Sequence, residues 1–422
     1  MTTLPGGERV ISERIDGVRS VAVGFWIGAG SRDEPLARAG VSHFIEHLLF
    51  KGSARYDAQA IAETFDALGG DLNAATSRET TVVYARVPDE KLEVALDVMA
   101  DMVFRPQFVD LDSEREVVLE EIAMVEDNPQ DLVHDLAAEA VFGPHPLGRP
   151  VIGSADVIST VSRRALRSYH QGAYVPRNVV VAAAGNVEHR RLLELVSARV
   201  AGEAHDLRLT RKPAGRLLAP GARFQRKDTE QYHVCLAAPG IPRGDDRRYA
   251  ASLLDAIVGG SASSRLFQEI REKRGMAYSV YTFGSQYADS GLVGLYVGTR
   301  EENLAECLEI AAAELLDVAA GGLRDGELER AKDNLKGRLL LSLESTSTRM
   351  TRLGKAVVTS SEITSIDETI ARVDAVTEAD IAALATELLL PGRLSAAGIG
   401  PNEKCFRAAI ERVNPAALAR AA

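Results

Sequence analysis

The pattern of apolar and polar residues in the first half of the chain predicts alternating strands and helices. Val- and Thr-rich runs indicate strands, and apolar residues spaced three or four apart indicate helices. The predicted strands cover residues 21–27, 72–77, 80–87 and 178–184. The predicted helices cover residues 40–50, 58–68, 90–103 and 112–126. The helix at 58–68 is expected to end at Gly69-Gly70, since glycine tolerates the left-handed conformation of a helix C-terminus.

The second half repeats this order of elements. Strands are predicted at residues 232–238, 277–283, 292–298 and 394–398, and helices at 249–258, 301–318 and 325–341. The helices that begin near Glu90 and Glu301 are about 210 positions apart. Pro176 and Pro391, each just before an apolar strand, are 215 positions apart. Two matches at nearly one offset indicate a degenerate tandem duplication.

The length of 422 residues exceeds what one hydrophobic core usually supports, so two domains are expected. Each should be α+β, with a mixed, mainly antiparallel sheet packed against helices. The joint is expected within residues 203–226, where Pro, Gly and Arg replace the apolar periodicity. We therefore predict a first domain at 1–215 and a second at 216–422. The second-half counterpart of the 40–50 helix has no histidine, so the chemistry should reside in the first domain.

The predicted helix at 40–50 contains the run His43-Phe44-Ile45-Glu46-His47. Each helical residue advances about 100°, so His43, Glu46 and His47 share one face, and side chains at i and i+4 can reach one ion. Two imidazoles with an adjacent acid are typical of zinc peptidases with a His-x-x-Glu-His motif. Among only eight histidines, a chance match has odds on the order of 1 in 100.

A third protein ligand should come from the acidic helix at 112–126. On a helical wheel, Glu121 and Glu114 lie within an arc that we predict to face inward together with Val117, Val118, Ile122, Met124 and Val125. A buried carboxylate costs several kcal/mol unless it is paired or binds metal. Glu121 is therefore predicted to bind the metal, and Glu114 to orient a ligand or the attacking water. The alternatives are a buried salt bridge for Glu121 and a purely structural role for Glu114.

The remaining six histidines stand singly among charged or loop residues. We predict that they are surface-exposed or locally hydrogen-bonded, and none is proposed as a ligand: His134, His145, His170, His189, His205 and His233.

The composition narrows the possible partners and the location. A net charge of −11 would repel phosphate backbones, so no nucleic-acid partner is expected. No apolar run approaches the ~18–20 residues that span a bilayer, so no membrane association is expected. The first residues lack the pattern of a secretory signal or transit peptide, and three widely spaced cysteines favour a reducing compartment. A cytoplasmic location is therefore expected.

With these motifs, the chain resembles the pitrilysin family, which includes insulin-degrading enzyme and the mitochondrial processing peptidase. It is most similar to the single-chain bacterial processing-peptidase-like zinc proteases, over nearly its whole length. In the family, the ligand glutamate ends a Glu-Arg-x-Val-x-Leu-x-Glu segment about 75 residues after the motif. Residues 114–121 fit this segment, with 73 residues between His47 and Glu121. The resemblance implies a zinc endopeptidase with one Zn²⁺ per chain.

The resemblance also implies a substrate-binding surface. The Leu72–Ser77 segment is similar to the family's edge strand, which receives an extended peptide, so Asn73 and Ala74 are expected to bind substrate. The 264–278 segment is similar to a second-half signature whose Arg and Tyr bind substrate and stabilise the oxyanion, here Arg271 and Tyr278. From the residues alone, Arg271 would be a helix-surface residue and Tyr278 a strand core residue. The family's chamber between two subunits implies a homodimer, in which the second domain completes the substrate chamber and the pair reaches the partner's zinc.

The expected reaction is hydrolysis of extended or unfolded peptides. Glu46 would take a proton from the zinc-activated water and return it to the leaving amine, and zinc and Tyr278 would stabilise the oxyanion. One rival is a non-catalytic scaffold, like the core subunits of respiratory complexes that share the fold, but these typically have damaged metal motifs. Another is a half-enzyme that needs a different partner chain, which the presence of both halves here argues against.

Overall fold

The computed structural model describes residues 1–200, 206–209, 211–215 and 218–419. The strands are β1 (Thr2–Thr3), β2 (Arg9–Arg14), β3 (Ser20–Ile27), β4 (Asp71–Thr76), β5 (Thr81–Pro88), β6 (Val179–Gly185), β7 (Ala222–Arg226), β8 (Tyr232–Gly240), β9 (Ala277–Gln286), β10 (Gly291–Thr299) and β11 (Ser395–Gly400). The helices of the first half are α1 (Val41–Leu49), α2 (Ala58–Leu68), α3 (Leu92–Phe104), α4 (Leu111–Asp127), α5 (Pro129–Phe142), α6 (Ala155–Thr160), α7 (Arg163–Ala173) and α8 (His189–Ser197). Those of the second half are α9 (Arg248–Val258), α10 (Glu301–Ala319), α11 (Glu327–Ser342), α12 (Thr346–Val358), α13 (Ile366–Asp374), α14 (Glu378–Leu388), α15 (Glu403–Val413) and α16 (Pro415–Ala419), with a π-helix at Phe267–Glu272.

Every strand and helix predicted from the sequence pattern is present, with ends displaced by at most three residues. The helix predicted at 58–68 ends as expected, because Gly69 adopts φ 63° and its N–H donates to the carbonyl of Asp66. The predicted α+β architecture is confirmed by two sheets packed against helices. The expected joint at 203–226 falls partly on residues 203–205, 210, 216 and 217, which lie outside the described residues.

The first compact unit comprises Met1–Ala123, Pro150–Lys212 and Leu340–Ile363. Its six-stranded sheet has the order β1-β2-β6-β3-β5-β4, in which β2 and β6 are parallel and the other neighbours are antiparallel. All seven residues of β6 are buried, so this strand needs cover on both faces. Helix α12 packs on one face of β3 and β6, where the Trp26 indole N–H lies 3.4 Å from the sulfur of Met350.

The second compact unit comprises Met124–Arg149, Pro213–Leu339 and Thr364–Ala422. Its five-stranded sheet has the order β7-β11-β8-β10-β9, in which β7 and β11 are parallel and the other neighbours are antiparallel. Helix α5 packs on β8 and β11 of this sheet, and a core cluster joins Phe142 of the helix to Tyr287 and Tyr296.

The two sheets repeat one topology. The order β2-β6-β3-β5-β4 corresponds to β7-β11-β8-β10-β9, with the parallel pair at the same place in each. Each sheet is also covered by a helix from the opposite half of the sequence: α12 in the first unit and α5 in the second. The compact units are therefore not two continuous stretches of chain. The predicted domain boundary between residues 215 and 216 is based on the repeat in the sequence, and it remains a prediction.

Among the helices of the described ranges, none combines the length and the apolar character needed to cross a lipid bilayer.

Candidate metal centre

Helix α1 is held at its start by a buried carboxylate. Glu34 accepts hydrogen bonds from the N–H groups of Gly40 and Ser42 at 2.7 and 2.6 Å. A negative charge is favourable here because the first N–H groups of a helix have no partner within it. Gly40 has φ 96°, and a Cβ there would lie 2.6 Å from the carbonyl oxygen of Ile152, so the turn into the helix requires glycine.

The apolar face of α1 fixes the direction of its polar face. Four side chains that are completely buried anchor the helix in the core of the first unit: Phe44, Ile45, Leu48 and Leu49. Because these residues lie inward, His43, Glu46 and His47 are only partly buried and share the remaining face. The His43 and His47 rings lie with their centroids 4.7 Å apart, as side chains at i and i+4 should.

Helix α4 brings Glu121 to this face. Arg115 anchors the helix by donating to the carbonyls of Ile158 and Val161, the latter at 3.0 Å, and by lying 5.7 Å from the centre of the Phe44 ring. The residues of α4 that are buried are Leu111, Glu114, Val118 and Ile122.

The predicted inward arc of α4 was partly wrong. It included Val117 and Met124, which are 48% and 66% exposed. The predicted arc was centred near Glu114, whereas the buried face of the helix is centred near Val118. Glu121 lies at the border of this face, with its side chain 41% exposed.

Three donor atoms converge between α1 and α4. The Nε2 atom of His43 lies 3.6 Å from one carboxylate oxygen of Glu121, and the Nε2 atom of His47 lies 3.1 Å from the other. Ligands at about 2.0–2.2 Å from a tetrahedral zinc are roughly 3.4 Å from one another, so these spacings fit one ion. Within the part of the chain that the structure describes, this is the one group of three or more His, Cys, Asp or Glu side chains close enough to hold a metal.

Burial changes the pKa values at this site. It lowers the pKa of His43 to about 4, although the nearby Glu121 opposes the shift. A neutral imidazole is the form that binds a metal. Burial also raises the pKa of Glu46 above its usual range, while Thr76 and His47 oppose that shift. One carboxylate oxygen of Glu46 is buried and has no hydrogen-bond partner among the described residues. Glu46 is therefore poised to accept a proton.

Glu114 contacts His47 from the side opposite Glu121. The His47 Nδ1–H donates to Glu114 at 2.9 Å, and the ammonium of Lys51 donates to the second Glu114 oxygen at 2.7 Å. Glu114 thus lies where an orienting residue is predicted, whereas Lys51 was not predicted to take part. The available signal was spacing, since Lys51 continues the i, i+4 series begun by His43 and His47.

The strand that is expected to receive substrate is an edge strand. β4 lies at the end of the first sheet and pairs with β5 alone among the described strands. The N–H of Ala74 donates to the side-chain oxygen of Asn73 at 2.8 Å. Ala74 itself is buried, whereas Asn73 is exposed. β4 contacts α1, so this edge lies beside the helix that carries the two histidines.

Arg271 and Tyr278 belong to the second unit, where they contact each other. The guanidinium of Arg271 lies 4.6 Å from the centre of the Tyr278 ring and 4.7 Å from that of Phe267. Arg271 lies on the π-helix, and Tyr278 lies near the start of the edge strand β9. Tyr278 is 78% exposed, so it is not the strand core residue that its sequence context suggested.

Several of the other histidines are more buried than predicted. His170 is buried and donates through Nε2 to the carbonyl of Val103 at 2.8 Å, so it is locally hydrogen-bonded but not on the surface. His134 is partly buried, and its Nε2 lies 2.9 Å from the hydroxyl of Tyr281. His233 is partly buried beside Tyr296. A single histidine without ligand spacing gives no sequence signal for such packing. His205 lies outside the described residues.

The fold and the site together define a two-domain α+β protein whose first domain carries a site of the zinc-metallopeptidase type. Residues 9–155 match the insulinase family, peptidase family M16, and residues 160–335 match the peptidase M16 inactive domain. The chain belongs to the M16 family.

Several bacterial relatives are similar over nearly the full chain. A protein named as an uncharacterized zinc protease of Streptomyces coelicolor is 44% identical, with 95% of this chain and 89% of the relative covered. The uncharacterized zinc protease YmxG of Bacillus subtilis is 40% identical, with 92% and 94% covered. These matches agree with the resemblance to the pitrilysin family and its bacterial zinc proteases.

Two solved structures share the fold. The peptidase M16 inactive domain from Pseudomonas fluorescens has a TM-score of 0.87 at 24% identity, with 95% of this chain and 98% of that chain covered. A protease from Helicobacter pylori has a TM-score of 0.88 at 21% identity, with the same coverage.

Proposed function

We propose that this protein is a zinc-dependent endopeptidase that cleaves extended or unfolded peptides and binds one Zn²⁺ per chain. The observation that carries the proposal is the convergence of His43, His47 and Glu121, whose donor atoms lie within 4.8 Å of one another. The chemistry of this donor set fits zinc, which prefers nitrogen and oxygen ligands and keeps a fourth position open in catalytic sites. The names of the relatives, zinc proteases, agree with it.

Five side chains of the first unit have defined roles in this proposal. His43, His47 and Glu121 hold the ion, which when bound polarises water and the substrate carbonyl. Glu46 accepts the proton of the attacking water, because its burial raises its pKa and leaves one oxygen without a partner among the described residues. Glu46 then returns that proton to the leaving amine. Glu114 keeps the His47 ring in the orientation that directs Nε2 towards Glu121.

The substrate is proposed to add to the edge of β4 as an extended strand. Main-chain pairing of this kind tolerates many side chains but requires a free peptide backbone. The Ala74 N–H is a donor for such pairing once the Asn73 carboxamide moves away from it. Asn73 therefore protects the edge in the free protein and can turn its amide towards substrate. Extended or unfolded peptides, not folded domains, are the expected substrates.

Arg271 and Tyr278 are proposed to bind the substrate and to stabilise the developing oxyanion. Their mutual contact and the exposure of Tyr278 leave the hydroxyl available to a ligand. The proposed assembly is a homodimer in the cytoplasm, with the pair reaching the zinc of the partner subunit. Mixing a Tyr278→Phe chain with a Glu46→Gln chain tests this arrangement. Activity recovered in the mixture supports sharing between subunits, and two inactive parents that stay inactive when mixed contradict it.

The proposed function is tested by Glu46→Gln. This variant should keep one zinc per chain but lose about 10²- to 10⁴-fold of its peptide-cleavage rate, because the proton acceptor is gone while the ligands remain. The matched control is Glu120→Gln, which changes an exposed acid next to a proposed ligand. Cleavage of a peptide library, with sites identified by mass spectrometry and with and without chelator, measures the activity. A wild-type protein without stoichiometric zinc would favour the scaffold alternative.

A further inference from the structure

The carboxylate of Glu114 is shared between two partners, one on each oxygen. One oxygen accepts from the Nδ1–H of His47 at 2.9 Å, and the other accepts from the ammonium of Lys51 at 2.7 Å. The Glu114 side chain is 5% exposed, so water cannot readily replace either partner. Lys51 lies just beyond the C-cap residue Phe50 of α1, and its backbone N–H donates to the carbonyl of Leu48, which ties its position to the helix that carries His47.

We propose that Lys51 is a positioning residue of the metal centre: by holding one oxygen of Glu114, it directs the other towards His47 and so fixes the orientation of the His47 ring. This inference rests on the proposed metal site and concerns metal affinity. A terminal carboxylate rotates easily about its last bond, and an ion pair on one oxygen limits that rotation. An ion-paired carboxylate can only accept, so the hydrogen of His47 stays on Nδ1 and the lone pair of Nε2 faces Glu121.

Two other roles for Lys51 make different predictions. If Lys51 acted mainly as a nearby positive charge, its removal would tighten the binding of a divalent cation. If it were only a stabilising ion pair at the surface of the fold, its removal would lower stability without changing the metal site. The positioning role predicts weaker metal binding and an altered ligand geometry.

The experiment is a double-mutant cycle on zinc affinity, measured by competition with a chromophoric chelator. Glu114→Gln should weaken zinc binding by about 10- to 100-fold, as is usual for the loss of a carboxylate that orients a ligand histidine. Lys51→Met should weaken it by a smaller factor, about 3- to 10-fold. The double variant should be no weaker than Glu114→Gln alone, since Lys51 acts through Glu114. Lys51→Arg should retain most of the affinity because it keeps the charge and the donors.

The matched control is Lys91→Met, which removes a lysine whose ion pair is with the exposed Glu90 at 3.5 Å. The visible spectrum of the cobalt-substituted protein gives a second readout, since it responds to ligand geometry. It should change in Lys51→Met and remain unchanged in Lys91→Met. If Lys51→Met folds poorly, Lys51→Gln serves in its place.

Three results would overturn the inference: unchanged zinc affinity in Lys51→Met, tighter binding, or an effect that adds fully to that of Glu114→Gln. Each of these can occur in a protein whose wild type binds zinc and cleaves peptides, so the inference can fail while the proposed function stands. A wild-type protein that binds no zinc would instead remove the proposed function.

Discussion

The two units place charged side chains differently in equivalent parts of one topology. In the first unit, Glu114 and Glu121 on α4 meet the two histidines of α1, and three donor atoms converge on one point. In the second unit, Glu327 at the start of α11 meets the buried Arg265, which donates to both of its oxygens at 2.9 and 2.7 Å. α4 and α11 occupy the same place in the order of elements.

The two units therefore contain different kinds of polar cluster. Arg265 also donates to Asp317 and to the carbonyl of Gly322, both at 2.7 Å, so the protein itself supplies the cation in the second unit. In the first unit, the converging Nε2 atoms and the carboxylate are all atoms that can coordinate a shared cation. The polar face of α1 that carries the histidines is partly exposed. A cluster that contains its own guanidinium is structural, whereas one that converges without it fits a metal.

The largest expected effect on stability comes from Arg265→Met. Removing the guanidinium takes away the buried cation that pairs with the Glu327 carboxylate, which should lower the free energy of unfolding by about 3–5 kcal/mol. The measurement is urea unfolding at neutral pH. Arg247→Met is the control, because Arg247 pairs on the surface with Asp245 and Glu387 and should cost less than about 1 kcal/mol. Equal losses in the two variants would contradict the structural role of Arg265.

A smaller effect is expected at the helix that covers the first sheet. A Cβ at Gly354 of α12 would lie 2.0 Å from the indole nitrogen of Trp26, so Gly354→Ala should destabilise the protein by about 1–3 kcal/mol. Gly337 in the interior of α11 has no atom within 4 Å of such a Cβ. Gly337→Ala should therefore stabilise the protein, by about 0.5–1 kcal/mol. Thermal unfolding of both variants gives the signs, and destabilisation by Gly337→Ala would be evidence against this packing.

A further effect, which depends on pH, concerns a buried histidine outside the metal centre. Burial lowers the pKa of His170 to about 4, although its hydrogen bond to the carbonyl of Val103 acts in the opposite sense. Below about pH 6.5 the unfolded chain takes up a proton at this residue that the folded protein does not. The free energy of unfolding should therefore decrease as the pH is lowered from about 6.5 to about 4. The loss attributable to His170 between pH 8 and pH 5 is about 2 kcal/mol.

His170→Gln removes the titrating group and keeps a donor for the carbonyl. Urea unfolding at pH 8 and pH 5 should show a smaller loss in this variant than in the wild type. The substitution itself changes the stability at pH 8. The difference between the two proteins in the stability lost from pH 8 to pH 5 therefore reports the titration of His170 alone. Parallel losses in both proteins would show that other groups control the acid sensitivity.

The sequence predicted the regular elements and the residues that converge on the candidate metal centre, because these depend on local spacing. His43, Glu46 and His47 share a helix face by geometry alone. The orientation of α4 was predicted less well, since the position of Glu121 on the wheel says nothing about the neighbours that bury Val118 and leave Val117 exposed. The i, i+4 spacing places Lys51 in series with His43 and His47, but its contact with Glu114 of α4 depends on how the two segments pack in the fold.

The packing of helices on sheets that are distant in sequence has no signature in the local sequence pattern. Nothing in the composition of α5 and α12 indicates which sheet each helix covers, because any amphipathic helix can cover an apolar sheet face. The division of the chain into 1–215 and 216–422 could follow the repeat in the sequence, whereas the exchange of α5 and α12 could not be derived from it.

The exchange of helices has a consequence for synthesis. One face of the first sheet, formed by residues such as Trp26, Val180 and Ala182, receives its cover from Met350, Leu353 and Val357. These three residues of α12 are synthesised long after the strands whose apolar face they cover. A nascent chain that ends near residue 215 therefore exposes an apolar sheet face, which invites aggregation or chaperone binding. A gene split between the two repeats would yield two fragments that each lack the helix covering one sheet face.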